Sequence, residues 1–218
     1  MKKAAILVGL ALLFPVTAVA SVTYVNLGTT APVTTLGSYA LTPFSVSAQA
    51  ALADMTSVST IPGAPFGTLA VSPNFSKRTV PASWATWSHG YTGPVFDSTA
   101  NTATLSLPAG TAAFEFYAEP DNFGTMTITA TTDTGATSGP VNVVGASGAT
   151  GFGFYTTAGE SIVSITITTN DSDFAMGEFY ANGTPVNPVP ALGPTGLALL
   201  IVGIAGAGLL LLKGRIAV

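Results

Sequence analysis

Between Thr104 and Tyr180, apolar and polar residues alternate with a period of two, and helical periodicity is almost absent. A period of two sends successive side chains to opposite faces of a strand. Such a segment buries its apolar half only by pairing strands and packing one face of the resulting sheet. The clearest run is Ile162 to Thr169, where Thr alternates with Ile. Thr104–Leu107, Ala112–Tyr117, Thr125–Ala130, Val141–Val144, Gly151–Tyr155 and Phe174–Tyr180 supply six more, separated by turns such as Pro108-Ala109-Gly110 and Asp133-Thr134-Gly135. Seven short strands with Gly, Pro and Asp between them predict an all-β fold, an antiparallel β-sandwich of jelly-roll type.

Two stretches repeat one pattern. Phe114-x-Phe116-Tyr117 is followed by Thr127-Ile128-Thr129, and Phe152-x-Phe154-Tyr155 by Thr166-Ile167-Thr168. The spacing predicts two similar strand pairs whose four Phe side chains share a core, each worth about 1.5–3 kcal/mol when buried. The part from Ser21 to Ser83 is less regular. Tyr24, Val25 and Leu27 suggest an edge strand, Ser45 to Met55 a short helix or turn, and Ile61 to Gly67 a loop. This part is expected to complete the same domain.

The chain has no cysteine, which excludes disulfides and thiolate metal sites. Between Ser21 and Val189 the only basic residues are Lys77 and Arg78, against ten acidic ones, a formal charge of −8. Such a surface repels nucleic acid and anionic lipid, and suits cations and neutral or basic polymers.

Both ends are apolar. Lys2 and Lys3 precede an apolar run closed by Ala18-Val19-Ala20, the pattern of a secretory signal peptide over residues 1–20. Near the other end, Gly196 to Leu212 is free of charge and close to the ~20 residues that span a bilayer as a helix. Lys213 and Arg215 follow it, and the positive-inside rule places them in the cytoplasm. The expected organisation is a signal peptide at 1–20, an ectodomain at 21–184 and a Pro-rich linker with its motif at 185–195. A transmembrane helix at 196–212 and a basic cytoplasmic tail at 213–218 complete it.

Val189-Pro190-Ala191-Leu192, then Gly196-Leu197, an apolar helix and a basic terminus resemble the C-terminal sorting signals handled by exosortase-type membrane transpeptidases of Gram-negative bacteria. The likeness is greater to the Ile-Pro-Thr-Leu variety (IPTL-CTERM) than to the Pro-Glu-Pro variety (PEP-CTERM), since Ala191 stands where the latter has Glu. Trp87 to Tyr180 resembles the β-sandwich ectodomains found upstream of such tails, through the aromatic strand Phe114–Pro120 and the final Phe174-Ala175-Met176-Gly177-Glu178-Phe179. The resemblance implies an exported protein held briefly in the membrane. Its tail is then removed by an exosortase-type enzyme and the protein passes to the cell surface or matrix.

Few residues invite chemistry. His89 is the only histidine, too few for a His-based zinc site, and no nucleophile motif accompanies it. Glu119 and Asp121 flank Pro120, Asp171 and Asp173 flank Ser172, and Glu178 lies on the next strand. These five could supply oxygens to calcium, or could simply be solvated turn residues. Glu115 or Glu119 with Glu178 could form the carboxylate pair of a glycan hydrolase, although Glu115 alternates onto a Thr-rich face. Trp84, Trp87, Tyr91 and Tyr117 could form an aromatic platform for a polysaccharide, or pack into the domain. The leading expectation is a non-enzymatic structural or adhesive surface protein. The alternatives are a carbohydrate-binding module, calcium-assisted or not, and a glycan hydrolase.

Overall fold

Each Thr-and-apolar run forms its strand, and the chain before Thr102 adds seven more. A computed structural model describes residues 21–182. The leader, the linker, the motif Val189, Pro190, Ala191, Leu192 and Gly196, and the expected membrane helix lie outside the described residues. The elements are β1 (Val22–Gly28), β2 (Thr35–Leu36), β3 (Tyr39–Ala40), β4 (Thr42–Pro43), α1 (Val46–Ala50), β5 (Ser57–Ile61), β6 (Leu69–Thr79) and β7 (Pro94–Asp97). Then follow β8 (Thr102–Ser106), β9 (Ala113–Pro120), β10 (Thr125–Thr132), β11 (Val141–Val144), β12 (Thr150–Thr156), β13 (Ser164–Thr169) and β14 (Phe174–Ala181).

The chain is all-β and its sheet is antiparallel. The main path runs β1-β12-β9-β14-β7-β6-β8-β13-β10-β11, with β4 on β14 and β5 on β6. The path curls, because β10 and β11 come back into contact with β9. β6 makes the corner. Ala70 to Ser72 pair with β8, whereas Ser76 to Thr79 pair with β7. Pro73, which has no N–H to donate, sits at the changeover between those two ladders.

One face of the curled sheet encloses the main core. Phe114, Phe116, Phe152 and Phe154 from one half meet Leu105, Ile128, Ile165 and Ile167 from the other, all fully buried. The repeated pattern pairs as expected. β9 and β12 are neighbours with Phe116 opposite Phe152, and β10 and β13 are neighbours in the other half. The Phe116 and Phe152 rings stack at 5.4 Å and 11°.

The opposite face of β12, β9 and β14 is not left to solvent. Leu36, Tyr39 and Leu41, from the segment carrying β2 and β3, pack on Ala112 and Ala113. Val80, Trp84 and Trp87, from the β6–β7 connection, pack on Tyr117, Val95 and Ala175. Small residues make room for this covering. A Cβ at Gly151 would lie 2.6 Å from the Tyr117 ring and 2.8 Å from Leu27. A Cβ at Gly177 would lie 2.9 Å from Val95. The amino-terminal part packs with the rest by adding the corner strand and a cover. Its helix is a single short turn capped by Ser45, whose Oγ accepts from the Ala48 N–H.

Candidate functional site

Along β9, Phe114, Phe116 and Ala118 face the main core, so Glu115, Tyr117 and Glu119 alternate onto the covered face. There the β6–β7 connection brings down the polar groups of Trp84, Thr86, Trp87 and His89. The result is a line of buried carboxylates beneath aromatic donors.

Glu119 is not a turn residue but a fully buried member of β9. Its Oε2 accepts from the Trp84 Nε1–H at 2.9 Å, and its Oε1 accepts from the Gly148 N–H at 3.1 Å and the Thr86 hydroxyl at 3.3 Å. Burial raises its pKa above the ordinary glutamate range, and these donors pull it partly back. Glu178 sits where the β14–β9 register slips between Gly177 and Tyr180, with a left-handed φ of 51°. The bulge turns its carboxylate toward the cover. Oε2 accepts from the Trp87 Nε1–H at 2.7 Å, and Oε1 lies 3.0 Å from His89 Nε2. His89 Nδ1 lies 2.9 Å from Ser88 Oγ. One neutral tautomer satisfies both contacts, with Nε2–H donating to Glu178 and Nδ1 accepting from Ser88. Burial raises Glu178 as well, opposed by the His89 and Trp87 bonds.

No nucleophile motif in the sequence announces that His89 meets both a serine and a carboxylate. The chain Ser88–His89–Glu178 nevertheless leads inward, because Ser88 is 1% exposed. Its hydroxyl is a support for the imidazole, not a nucleophile open to substrate.

Glu115 was expected on a Thr-rich outer face, but it lies completely buried under the cover. Its Oε1 accepts from the Val33 N–H at 3.2 Å, and Oε2 has no partner among the described residues. Desolvation pushes its pKa up to about 7, with the Val33 bond opposing and the charge of Glu178 adding. In the unfolded chain Glu115 ionises near the usual value of about 4.5. The stability tied to its proton is therefore present below that value and lost as pH rises through about 7. Glu119 and Glu178, also raised, act in the same direction. Glu115→Gln should therefore stabilise the protein at pH 8 by about 2 kcal/mol and flatten the decline between pH 5 and 8. Thermal unfolding across that range checks this, and a variant that melts below wild type at pH 8 contradicts it.

The aromatic platform needs correction. Trp84, Trp87 and Tyr117 are buried, and their N–H and O–H groups are committed inside, Tyr117 to the Thr30 carbonyl at 2.6 Å. Tyr91 is half-buried and donates to the Pro94 carbonyl at 3.0 Å. No flat set of ring faces is presented, because the two indoles lie on the underside of the cover and Tyr117 on the sheet beneath them. The five carboxylates named for calcium do not converge on one point. Glu119 and Glu178 are tied to separate indoles, while Asp121, Asp171 and Asp173 stay together at the end of the sheet. There Asp171 Oδ2 accepts from the Asn122 N–H at 2.7 Å. Among the described residues no group of three or more acidic or histidine side chains is arranged to hold a metal ion.

The two cations are also committed. Lys77, 4% exposed, is 2.5 Å from both Asp54 Oδ1 and Thr79 Oγ1. Asp54, also bonded by the Ser83 and Thr79 hydroxyls, is held down to about pKa 2 by these hydrogen bonds. Arg78 donates from Nε and Nη2 to Asp97 Oδ2 at 3.2 and 2.8 Å.

Two depressions open on the covered side. A shallow groove of about 200 Å³ runs between Trp84, Thr86, Pro120, Asp121 and the exposed Phe123. A smaller pocket of about 50 Å³ lies between α1 and β14, with Glu178 in its lining. Both fall below the roughly 300–1,000 Å³ of typical ligand clefts. No family model matches this chain, and no curated protein matches it.

Proposed function

We propose that this chain is an exported, surface-sorted structural or adhesive protein of the cell envelope or extracellular matrix, and not an enzyme. The described domain is then an antiparallel sandwich of jelly-roll type, formed by the two halves of the curled sheet. One observation carries the reading. Trp84, Trp87, His89, Glu119 and Glu178, the side chains best suited to chemistry or to sugar stacking, are spent on one another as braces between cover and sheet. In a domain without cysteine, these hydrogen bonds and the apolar core tie the cover to the sheet.

The leader, the Val189–Leu192 motif, the apolar run to Leu212 and the basic end supply the route to the surface. Mass spectrometry of the protein recovered from the cell surface tests that route. A mature species starting near Ser21 and lacking the run from Gly196 to Val218 is expected. A surface species that retains the intact tail would contradict sorting by cleavage.

A further inference from the structure

Segment 29–41 lies over the covered face without joining the main sheet. Its strands β2 and β3 pair only with each other, and the Leu41 N–H donates back to the Thr34 carbonyl at 2.9 Å. Among the described residues, its hydrogen bonds to the sheet all run through side chains. Tyr117 and Asn182 donate to the Thr30 and Ala40 carbonyls at 2.6 and 3.0 Å, and the Tyr39 and Thr156 hydroxyls are 3.0 Å apart. At the middle of the segment, the Val33 N–H donates to Glu115 Oε1 at 3.2 Å. Leu36 packs over Gly153, the residue opposite Glu115 on β12. Only Leu36, Tyr39 and Leu41 of the segment are buried. A strap held by so few buried groups opens at lower cost than the strands beneath it.

This strap closes over a carboxylate that closure leaves half satisfied. Glu115 is fully buried, and its Oε2 has no hydrogen-bond partner among the described residues. The titratable groups gathered on the same face are Glu178 and Tyr180 on β14, Tyr117 on β9, Tyr155 on β12 and Tyr39 on the strap itself. Among the described residues Lys77 and Arg78 are bound to Asp54 and Asp97, and His89 to Glu178. A protonated Glu115 fits such a place. An ionised one has a single amide donor and an acid nearby, a costly position for a buried charge. Lifting the strap lets water reach the carboxylate and removes the conflict.

We propose that segment 29–41 is a pH-gated lid, closed over β12, β9 and β14 while Glu115 keeps its proton and opening more often once that proton is lost. The second covering segment, braced by Glu119 and Glu178, stays in place. Closed, Glu115 is pushed up to about 7, whereas open and hydrated it returns to about 4.5. Closure therefore holds the proton. Opening grows by up to tenfold per pH unit between those values and levels off above the upper one. This device is independent of how the chain reaches the surface.

The test is native-state hydrogen exchange of the full-length protein from pH 5 to pH 8, corrected for intrinsic exchange rates. The Val33 and Leu41 amides should be less protected than the central β9 amides throughout, which marks an opening separate from global unfolding. Their protection should fall at least tenfold from pH 5 to pH 8. In Glu115→Gln the strap amides should stay protected with no such fall. In the wild type the Glu115 carboxyl ¹³C resonance should titrate near neutrality, a readout that needs no variant. Strap amides as protected as those of β9, or an unchanged fall in Glu115→Gln, overturn the proposal. So does a Glu115 resonance that titrates near 4.5, the ordinary glutamate value.

Discussion

Glu119→Ala is expected to cost about 3–5 kcal/mol, a large part of a domain's whole stability. The carboxylate is fully buried and accepts from three donors, the Trp84 indole, the Gly148 amide and the Thr86 hydroxyl. Removing it strands those donors where water does not reach and leaves a void beside Trp84. For a domain of this size the drop corresponds to about 10 °C in melting temperature. Glu119→Gln keeps the shape and most of the acceptors and should cost less than half as much. The effects of Glu119→Ala and Trp84→Phe should not add, because both break the same bond. Thermal and urea unfolding of the two single variants and the double variant checks the set. A Glu119→Ala loss below 1 kcal/mol would remove the brace from the account.

Phe116→Ala is expected to cost a similar amount, about 3–5 kcal/mol, for an unrelated reason. The ring is fully buried, lies parallel to Phe152 at 5.4 Å and is 6.1 Å from Phe114. It comes from a central pair of strands with a covered face on each side, so little can collapse into the space it leaves. Phe123→Ala is the comparison, since Phe123 is 62% exposed and its loss should stay within about 0.5 kcal/mol. Equal losses at the two positions in urea unfolding would mean that the enclosed aromatic core is not where the stability resides.

The strands from Thr102 onward were legible because their inner faces repeat every second residue, from Phe114 and Phe116 to Ile165 and Ile167. The long corner strand was not. Leu69–Thr79 contains Pro73 and the only two cations of the domain, and both features argue against a central strand until the changeover at Pro73 and the partners Asp54 and Asp97 are seen. The covered face was hidden for a different reason. Period-two alternation distinguishes inside from outside within one sheet, but it does not reveal that a segment 30 to 90 residues away will lie over the outer face. Glu115 reads as part of a Thr-rich outer face for that reason. A trace of the cover does exist in the sequence. Gly151, Gly153 and Gly177 take outward positions where a strand open to water would tolerate Thr; a Cβ would come within 3.0 Å of a neighbour at Gly151 and Gly177, and would press on Leu36 of the cover at Gly153. The bond from His89 to Glu178 spans 89 positions and depends on the bulge at Gly177, which no local pattern announces.

The central claim is that the tryptophans and glutamates are internal braces rather than a ligand surface. Hydrogen exchange of the two indole N–H groups, followed by NMR under native conditions, tests it most directly. The Trp84 and Trp87 indole protons should exchange as slowly as the backbone amides at the centre of β9, which requires the cover to leave the sheet first. Exchange of both within the dead time, with the β9 amides still protected, would show indoles open to solvent and would contradict the account.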